Sequence, residues 1–278
     1  MHPAIAYIRQ ALQGICPDSE ALSIAKLLLT QHFGFTQLEL YGGKDKHLSE
    51  NEQKELDIIL RRLQNNEPIQ YVLGKETFCG LTFEVNPNVL IPRPETQELV
   101  EWIVKENSTS GLRVLDIGTG SGCVAVSLAK KLKRADVTAW DISESALQVA
   151  RRNAELNEVD VCLKQVNVLN LLDQTDRFDM IVSNPPYVTN TEKQSMERNV
   201  LDWEPEIALF VSDDDPFLFY ERIADIGMDI LRTNGKLYFE INQHFGKEIK
   251  NILENKGYHQ VELRKDMFGN DRMIKALI

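Results

Sequence analysis

Asn184-Pro185-Pro186-Tyr187 is the stretch of this 278-residue chain whose residue types are best suited to chemistry. Neither proline has an N–H, so the backbone there offers carbonyl acceptors and few donors. Asn184 precedes a proline and is pushed to extended geometry, which gives its side chain a defined direction. Tyr187 adds a flat apolar wall with a polar tip. A stiff, acceptor-rich corner suits one task, gripping a planar –NH2 group by both hydrogens. The residues just before it, Phe178 to Val182, are apolar and β-favouring and are stopped by Asn-Pro, so they read as a short buried strand. Taken alone, the same four residues also read as a plain turn.

Upstream residues change that balance. Arg113-Val-Leu-Asp-Ile-Gly-Thr-Gly-Ser-Gly122 reads as a strand, a glycine-rich turn, and then a helix from about Cys123 to Leu132. Val137-Thr-Ala-Trp-Asp141 is a second strand, ending in an acid nineteen positions after Gly122. Glycines let backbone approach a nucleotide-like ligand, and a carboxylate after the next strand accepts ribose hydroxyls. The spacing is G-x-G-x-G with Asp116 before it. In that respect the loop resembles the first motif of S-adenosylmethionine-dependent methyltransferases.

Composition bounds the alternatives. With 43% hydrophobic and 26% charged residues, this is an ordinary globular chain, long enough for one large domain and a smaller one. It has no apolar run of membrane-spanning length and no signal-peptide layout, so a cytoplasmic protein without membrane partners is expected. Cys16, Cys79, Cys123 and Cys162 are scattered, which argues against a disulfide framework or a zinc site. A net charge of −11 weighs against non-specific duplex binding.

The elements that must position these residues follow from periodicity. Residues 1–72 read as a helical domain. Ile24, Ala25, Leu28 and Leu29 share one face, and Ser49 with Glu52 forms a capping box ahead of Leu56, Ile59, Leu60 and Leu63. Gly42-Gly43 breaks the two helical blocks. A hairpin is expected at about 76–91, and residues 73–95 form a hairpin and linker. The run Leu90-Ile-Pro-Arg-Pro-Glu-Thr96 is stiff and extended; it reads either as an interdomain linker or as a clamp over a pocket.

From 96 to 278 strands and helices alternate, which predicts a mostly parallel α/β sheet. Strands are expected at 113–117, 136–140, 159–166, 178–182, 235–241, 260–264 and 272–278, with the last one reversed. In such sheets a ligand sits outside the C-terminal strand ends at the switch point. Gly118–Gly122, Asp141, Asn167 and Asn184–Tyr187 all fall there.

Five blocks, Pro68-Ile-Gln-Tyr-Val-Leu-Gly74, Leu90–Thr96, Asp116–Gly122, Ser183–Tyr187 and Trp203-Glu-Pro205, stand in an order that resembles the HemK/PrmC family of release-factor glutamine N5-methyltransferases. The resemblance covers nearly the whole chain. It implies a class I S-adenosylmethionine-dependent methyltransferase fold with a small all-helical N-terminal substrate-recognition domain. It also implies methylation of the glutamine amide in the Gly-Gly-Gln motif of peptide chain release factors. On that resemblance Asn184, Pro185 and Tyr187 would serve catalysis, and Pro186 would join them in holding substrate. Asp116, Gly118, Thr119, Gly120, Ser121, Gly122, Asp141, Asn167, Val168 and Asn184, with Arg93 and Thr96, would hold S-adenosylmethionine. The enzyme is expected to act as a monomer without direct nucleic-acid contact. Gln97 and Asn167 depart from the family pattern, standing where it has acidic residues, and Asp213-Asp-Asp215 reads as a solvated turn. Two other readings share these motifs: an adenine-N6 or guanine-N2 nucleic-acid methyltransferase using the same corner, and a scaffold that keeps the fold without the chemistry.

Overall fold

The computed structural model describes residues 2–42, 46–171 and 175–278. Gly43 of the expected glycine break lies outside these. The chain divides into two compact units. One comprises Met1–Gly74 together with Glu197–Trp203, and the other Lys75–Met196 with Glu204–Ile278.

The first unit is helical: α1 (Pro3–Ala11), α2 (Asp18–Leu27), α3 (Gln37–Tyr41), α4 (Glu50–Gln64) and α5 (Ile69–Leu73). The Ser49–Glu52 capping box forms: Glu52 N–H donates to Ser49 Oγ at 3.3 Å, and Ser49 N–H to the Glu52 carboxylate at 2.7 Å. Leu56, Ile59, Leu60 and Leu63 of α4 pack with Ile5, Ile8, Ala25, Leu28 and Leu29 in one core. Sequence reading divides the chain at residue 72 and misses the return of 197–203, in which Trp203 Nε1 donates to the Asn65 carbonyl at 3.1 Å. Nothing in local periodicity marks such a return.

In the second unit, β1 (Lys75–Phe78) and β2 (Leu81–Glu84) form a hairpin, shorter than the 76–91 expected. Its turn uses positive φ at Cys79 and Gly80, as a two-residue hairpin loop requires. Then follow α6 (Pro94–Glu106), β3 (Arg113–Ile117), α7 (Cys123–Lys131), β4 (Asp136–Asp141), α8 (Glu144–Leu156), β5 (Cys162–Gln165) and β6 (Phe178–Ser183). A short pair, β7 (Val188–Thr189) and β8 (Phe210–Val211), is separated along the chain by the single-turn α9 (Arg198–Leu201), which belongs to the first unit, and by α10 (Glu206–Leu209). The chain ends with α11 (Leu218–Ile230), β9 (Leu231–Glu240), α12 (Gly246–Asn255), β10 (His259–Lys265) and β11 (Asp271–Leu277).

Among the described residues, seven strands form one sheet in the order β10-β11-β9-β6-β3-β4-β5. β11 runs antiparallel to both neighbours, and β3, β4, β5, β6 and β9 pair parallel, matching the expected reversed final strand. β9 begins at Leu231, four residues earlier than Gly235 predicts, because its pairing with β6 shifts register there. Alternate residues serve the two faces. Val114, Met180, Val182 and Tyr238 pack under α6 and α7, while Leu115, Ile181, Leu237 and Phe239 pack under α11 and α12. Each large side chain so buried stabilises the fold by about 1.5–3 kcal/mol. No helix of the described residues is long and apolar enough to cross a membrane.

Candidate active site

The strand order reverses at β3. The chain moves outward through β4 and β5, then returns to place β6 on the other side of β3. Ile117 and Ser183 are register partners at the C-terminal ends of β3 and β6, and Ser183 Oγ donates to the Ile117 carbonyl at 2.7 Å. Parallel pairing therefore sets the glycine-rich loop beside the Asn-Pro-Pro-Tyr corner. A Cβ on Gly118 would lie 3.9 Å from the Asn184 carbonyl oxygen.

A cavity of about 350 Å³ opens at this point. Of the residues singled out by sequence, Arg93, Thr96, Asp116, Gly118, Thr119, Gly120, Ser121, Asp141, Asn167, Val168, Asn184, Pro185 and Pro186 line it. Gly122 and Tyr187 are not among its lining residues. Gly122 instead admits α8: a Cβ there would come within 3.0 Å of Ala150 Cβ, at a φ of +79°. Tyr187 packs into the apolar cluster on the α11 side, with its hydroxyl donating to Glu240 Oε1 at 3.0 Å.

The glycine loop is held by its sequence neighbours. Gly118 and Thr119 N–H both donate to the Trp140 carbonyl, at 2.9 and 3.0 Å, and Gly120 N–H donates to Asp141 Oδ2 at 2.8 Å. Asp116 Oδ2 accepts from Thr119 Oγ1 at 2.6 Å and from Ala125 N–H at 3.2 Å. Burial pushes the Asp116 carboxyl up to about 7, against those two hydrogen bonds. Burial likewise raises Asp141, opposed by N–H donors from Ser143 and Gly120.

These bonds bear on which ligand fits. The Gly118, Thr119 and Gly120 N–H groups, which could otherwise turn to a phosphate, are already bound to Trp140 and Asp141. The charged lining residues are Asp116, Asp141 and Arg93, and Arg93 is ion-paired with buried Glu204. A cavity that is apolar, acidic and, among the described residues, without a free cation disfavours a phosphorylated nucleotide. It suits a cationic ligand carrying a ribose, because each Asp141 oxygen keeps a lone pair beyond its one N–H donor.

The segment between hairpin and α6 was open to two readings, linker or clamp. Residues 88–93 form a wall of the cavity, and Glu204 fixes them by pairing with Arg93 and accepting Ile91 N–H at 3.2 Å. Asn167 is committed locally, its Oδ1 capping the turn Val168–Asn170 through Leu169 N–H at 3.0 Å. Gln97 accepts from Cys79 N–H and donates to Glu101, a pair of roles that a carboxylate could not fill.

The corner is held by distant residues. Asn184 Nδ2 donates to Thr96 Oγ1 at 3.2 Å, and Thr96 Oγ1 donates to Glu240 Oε2 at 2.5 Å. Asn242 Nδ2 donates to the Tyr187 carbonyl at 3.1 Å. Among the described residues, no donor reaches Asn184 Oδ1 or the Pro185 carbonyl. Glu240 ends β9 and reads from sequence alone equally as a carboxylate facing water; it is 2% exposed. Sequence reading also missed Asn153, which binds the Ser121 and Glu84 carbonyls and the Glu84 N–H, joining loop, hairpin and α8. An amide on the otherwise apolar inner face of α8 was the available signal.

Comparison with known proteins agrees with this geometry. Residues 94–202 match the methyltransferase small domain family, and residues 3–74 match the PrmC N-terminal domain family. The release factor glutamine methyltransferase of Bacteroides thetaiotaomicron is 53% identical over 277 residues, 99% of each chain. That of Flavobacterium psychrophilum is 48% identical over 271 residues, 96% of this chain and 95% of its own. Among solved structures, the T. thermophilus 16S rRNA N2 G1207 methyltransferase in complex with AdoMet and guanosine superposes with a TM-score of 0.54 at 20% identity, covering 73% of this chain and 49% of that one. A methyltransferase from Pyrococcus furiosus gives 0.52 at 21% identity, covering 82% and 98%. These two share the fold. The near-complete relatives go further, and this chain belongs to the release factor glutamine methyltransferase (PrmC) family.

Proposed function

We propose that this protein transfers a methyl group from S-adenosylmethionine to the side-chain amide nitrogen of the glutamine in the Gly-Gly-Gln motif of peptide chain release factors. The observation that best supports this reading is that Asn184 and Pro185 line a cavity suited to a cationic, ribose-bearing ligand, with no donor among the described residues on Asn184 Oδ1 or the Pro185 carbonyl. S-adenosylmethionine supplies an electrophilic methyl group on a positively charged sulfur. Asp141 accepts the ribose hydroxyls, while Asp116 and the 118–122 backbone line the methionine end.

An amide nitrogen is a poor nucleophile because its lone pair is delocalised into the carbonyl. Two acceptors, each taking one N–H, fix the amide plane and aim the lone pair at the methyl. Such positioning, at roughly 3–3.5 Å, can supply up to about 7–11 kcal/mol of barrier reduction. The S–CH3 bond breaks as the N–CH3 bond forms, S-adenosylhomocysteine leaves, and the methylated nitrogen, made acidic by its positive charge, gives its surplus proton to water, so the corner needs no ionised base. Tyr187 serves it as a buttress, its ring packed behind the corner and its hydroxyl on Glu240. The helical unit is the substrate-recognition part, and the protein works as a monomer in the cytoplasm.

Incubation with methyl-labelled S-adenosylmethionine and, separately, release factor, tRNA, ribosomes or DNA tests the proposal. Label is expected in the release factor and lost when its Gly-Gly-Gln glutamine is replaced by alanine. Label confined to nucleic acid would overturn it.

A further inference from the structure

The Asn184 amide is chemically two-faced, able to present either an acceptor or a donor to the cavity, and only the acceptor would hold a substrate –NH2. We infer that Glu240, acting through Thr96, is the positioning residue that sets this orientation and so makes the corner an acceptor for carboxamides. The inference rests on the amide-acceptor reading of Asn184.

The logic is one of donors and acceptors. Glu240 takes a hydroxyl donor on each oxygen, Thr96 on Oε2 and Tyr187 on Oε1, so it stands as an acceptor. Thr96 Oγ1, at 2.5 Å from Glu240 Oε2, must therefore spend its one proton on Glu240. Its oxygen is then left to accept, and the partner at 3.2 Å must be the Asn184 –NH2. Asn184 Oδ1 is by elimination the atom directed elsewhere, to the cavity that Asn184 lines. The same carboxylate holds the other end of the motif, accepting from Tyr187 Oη at 3.0 Å.

Glu240 is buried, which raises its carboxyl. Hydroxyl donors from Thr96 and Tyr187, and the Arg272 charge on the neighbouring strand β11, oppose that rise, while Glu95 adds to it. The Tyr220 hydroxyl faces its backbone carbonyl at 3.4 Å. Glu240 is not among the residues that line the cavity, so its role is orientation.

Glu240→Gln tests this directly. A glutamine can donate to Thr96, which then donates to Asn184 Oδ1 and turns the amide nitrogen toward the substrate. We expect kcat to fall on the order of 10²-fold, the lower end of the loss for one preorganised contact, with cofactor Kd by calorimetry changed less than about threefold. Thr96→Val removes the link and should lose rate similarly; Thr96→Ser, which keeps the hydroxyl, should recover most of that loss. In an Asn184→Ala background, Glu240→Gln should add little, because there is no amide left to orient.

Near-normal kcat in Glu240→Gln, or losses that multiply in the double variant, would overturn the relay. If Glu240→Gln fails to fold, the Thr96→Val and Thr96→Ser pair decides by the same criterion. A slow Asn184→Ala with fast Thr96→Val sinks the relay alone. A fast Asn184→Ala sinks the amide-acceptor reading on which it rests.

Discussion

The glycine-rich loop and the Asn-Pro-Pro-Tyr corner face each other across one register pair, yet they are fixed in opposite ways. Asp116 holds Thr119, three residues away, and Asp141 holds Gly120 and Ser143 from the end of the adjacent strand. The corner takes its orientation from Thr96, 88 residues before Asn184, and from Glu240, 53 residues after Tyr187. A loop tied to its own strand ends keeps its shape wherever those two strands pair. A corner tied to α6 and β9 is correct only when the whole unit has assembled. The two regions are thus held by separable parts of the fold, and on the proposed function this separates binding of cofactor from aiming of substrate.

The largest expected effect sharpens that separation. Asn184→Ala should lower kcat on the order of 10²–10³-fold while calorimetric affinity for S-adenosylmethionine stays within a few-fold. A parallel collapse of affinity would mean that the two regions are one. Asp141→Ala should do the converse. Hydrogen bonds to a charged group contribute about 1.5–3 kcal/mol, so cofactor Kd should rise about 10–100-fold with modest change in rate at saturating cofactor.

Gly122→Ala is next. It forces a Cβ to 3.0 Å from Ala150 Cβ and to 3.2 Å from Ala150 Cα, at positive φ. A loss of about 1–3 kcal/mol, read as lowered Tm, should accompany weaker cofactor binding. Unchanged stability would show that α8 can back away from the loop.

The smallest effect concerns pH. The Asp116 carboxyl stands at about 7 in the fold against an ordinary value of 3.8. Its contribution to stability is therefore fully present below about 4 and is lost as pH rises toward 7. In protein without cofactor, Asp116→Asn should flatten that decline, a difference of a few degrees in Tm between pH 4 and 8. Identical pH profiles for the two proteins would remove the buried, strained acid from the picture.

Much of the site was readable in the residues because its logic is local. The glycine spacing, an acid at the end of the next strand, and an asparagine before two prolines each state a backbone requirement within a few positions. The Ser49–Glu52 cap and the α4 stripe are equally local, and both formed as read. Glu240 was ambiguous because a carboxylate at a strand end looks the same whether it meets water or a buried threonine. Asn153 was missed because an amide on an apolar helix face signals a buried polar role without naming its three backbone partners on two other elements.

The sequence alone determined the alternation of strands and helices, the reversed last strand, and the chemical kinds of group that meet at the switch point. Hydrophobic period and turn chemistry act over spans of a few residues, so they are written along the chain. Tertiary structure decided that residues 197–203 join the helical unit, that 88–93 wall the cavity under the Arg93–Glu204 pair, and that Asn184 meets Thr96 from α6. Each of these depends on a donor or an apolar surface meeting a partner far away in sequence, and a hydrogen bond specifies its partner by position in space.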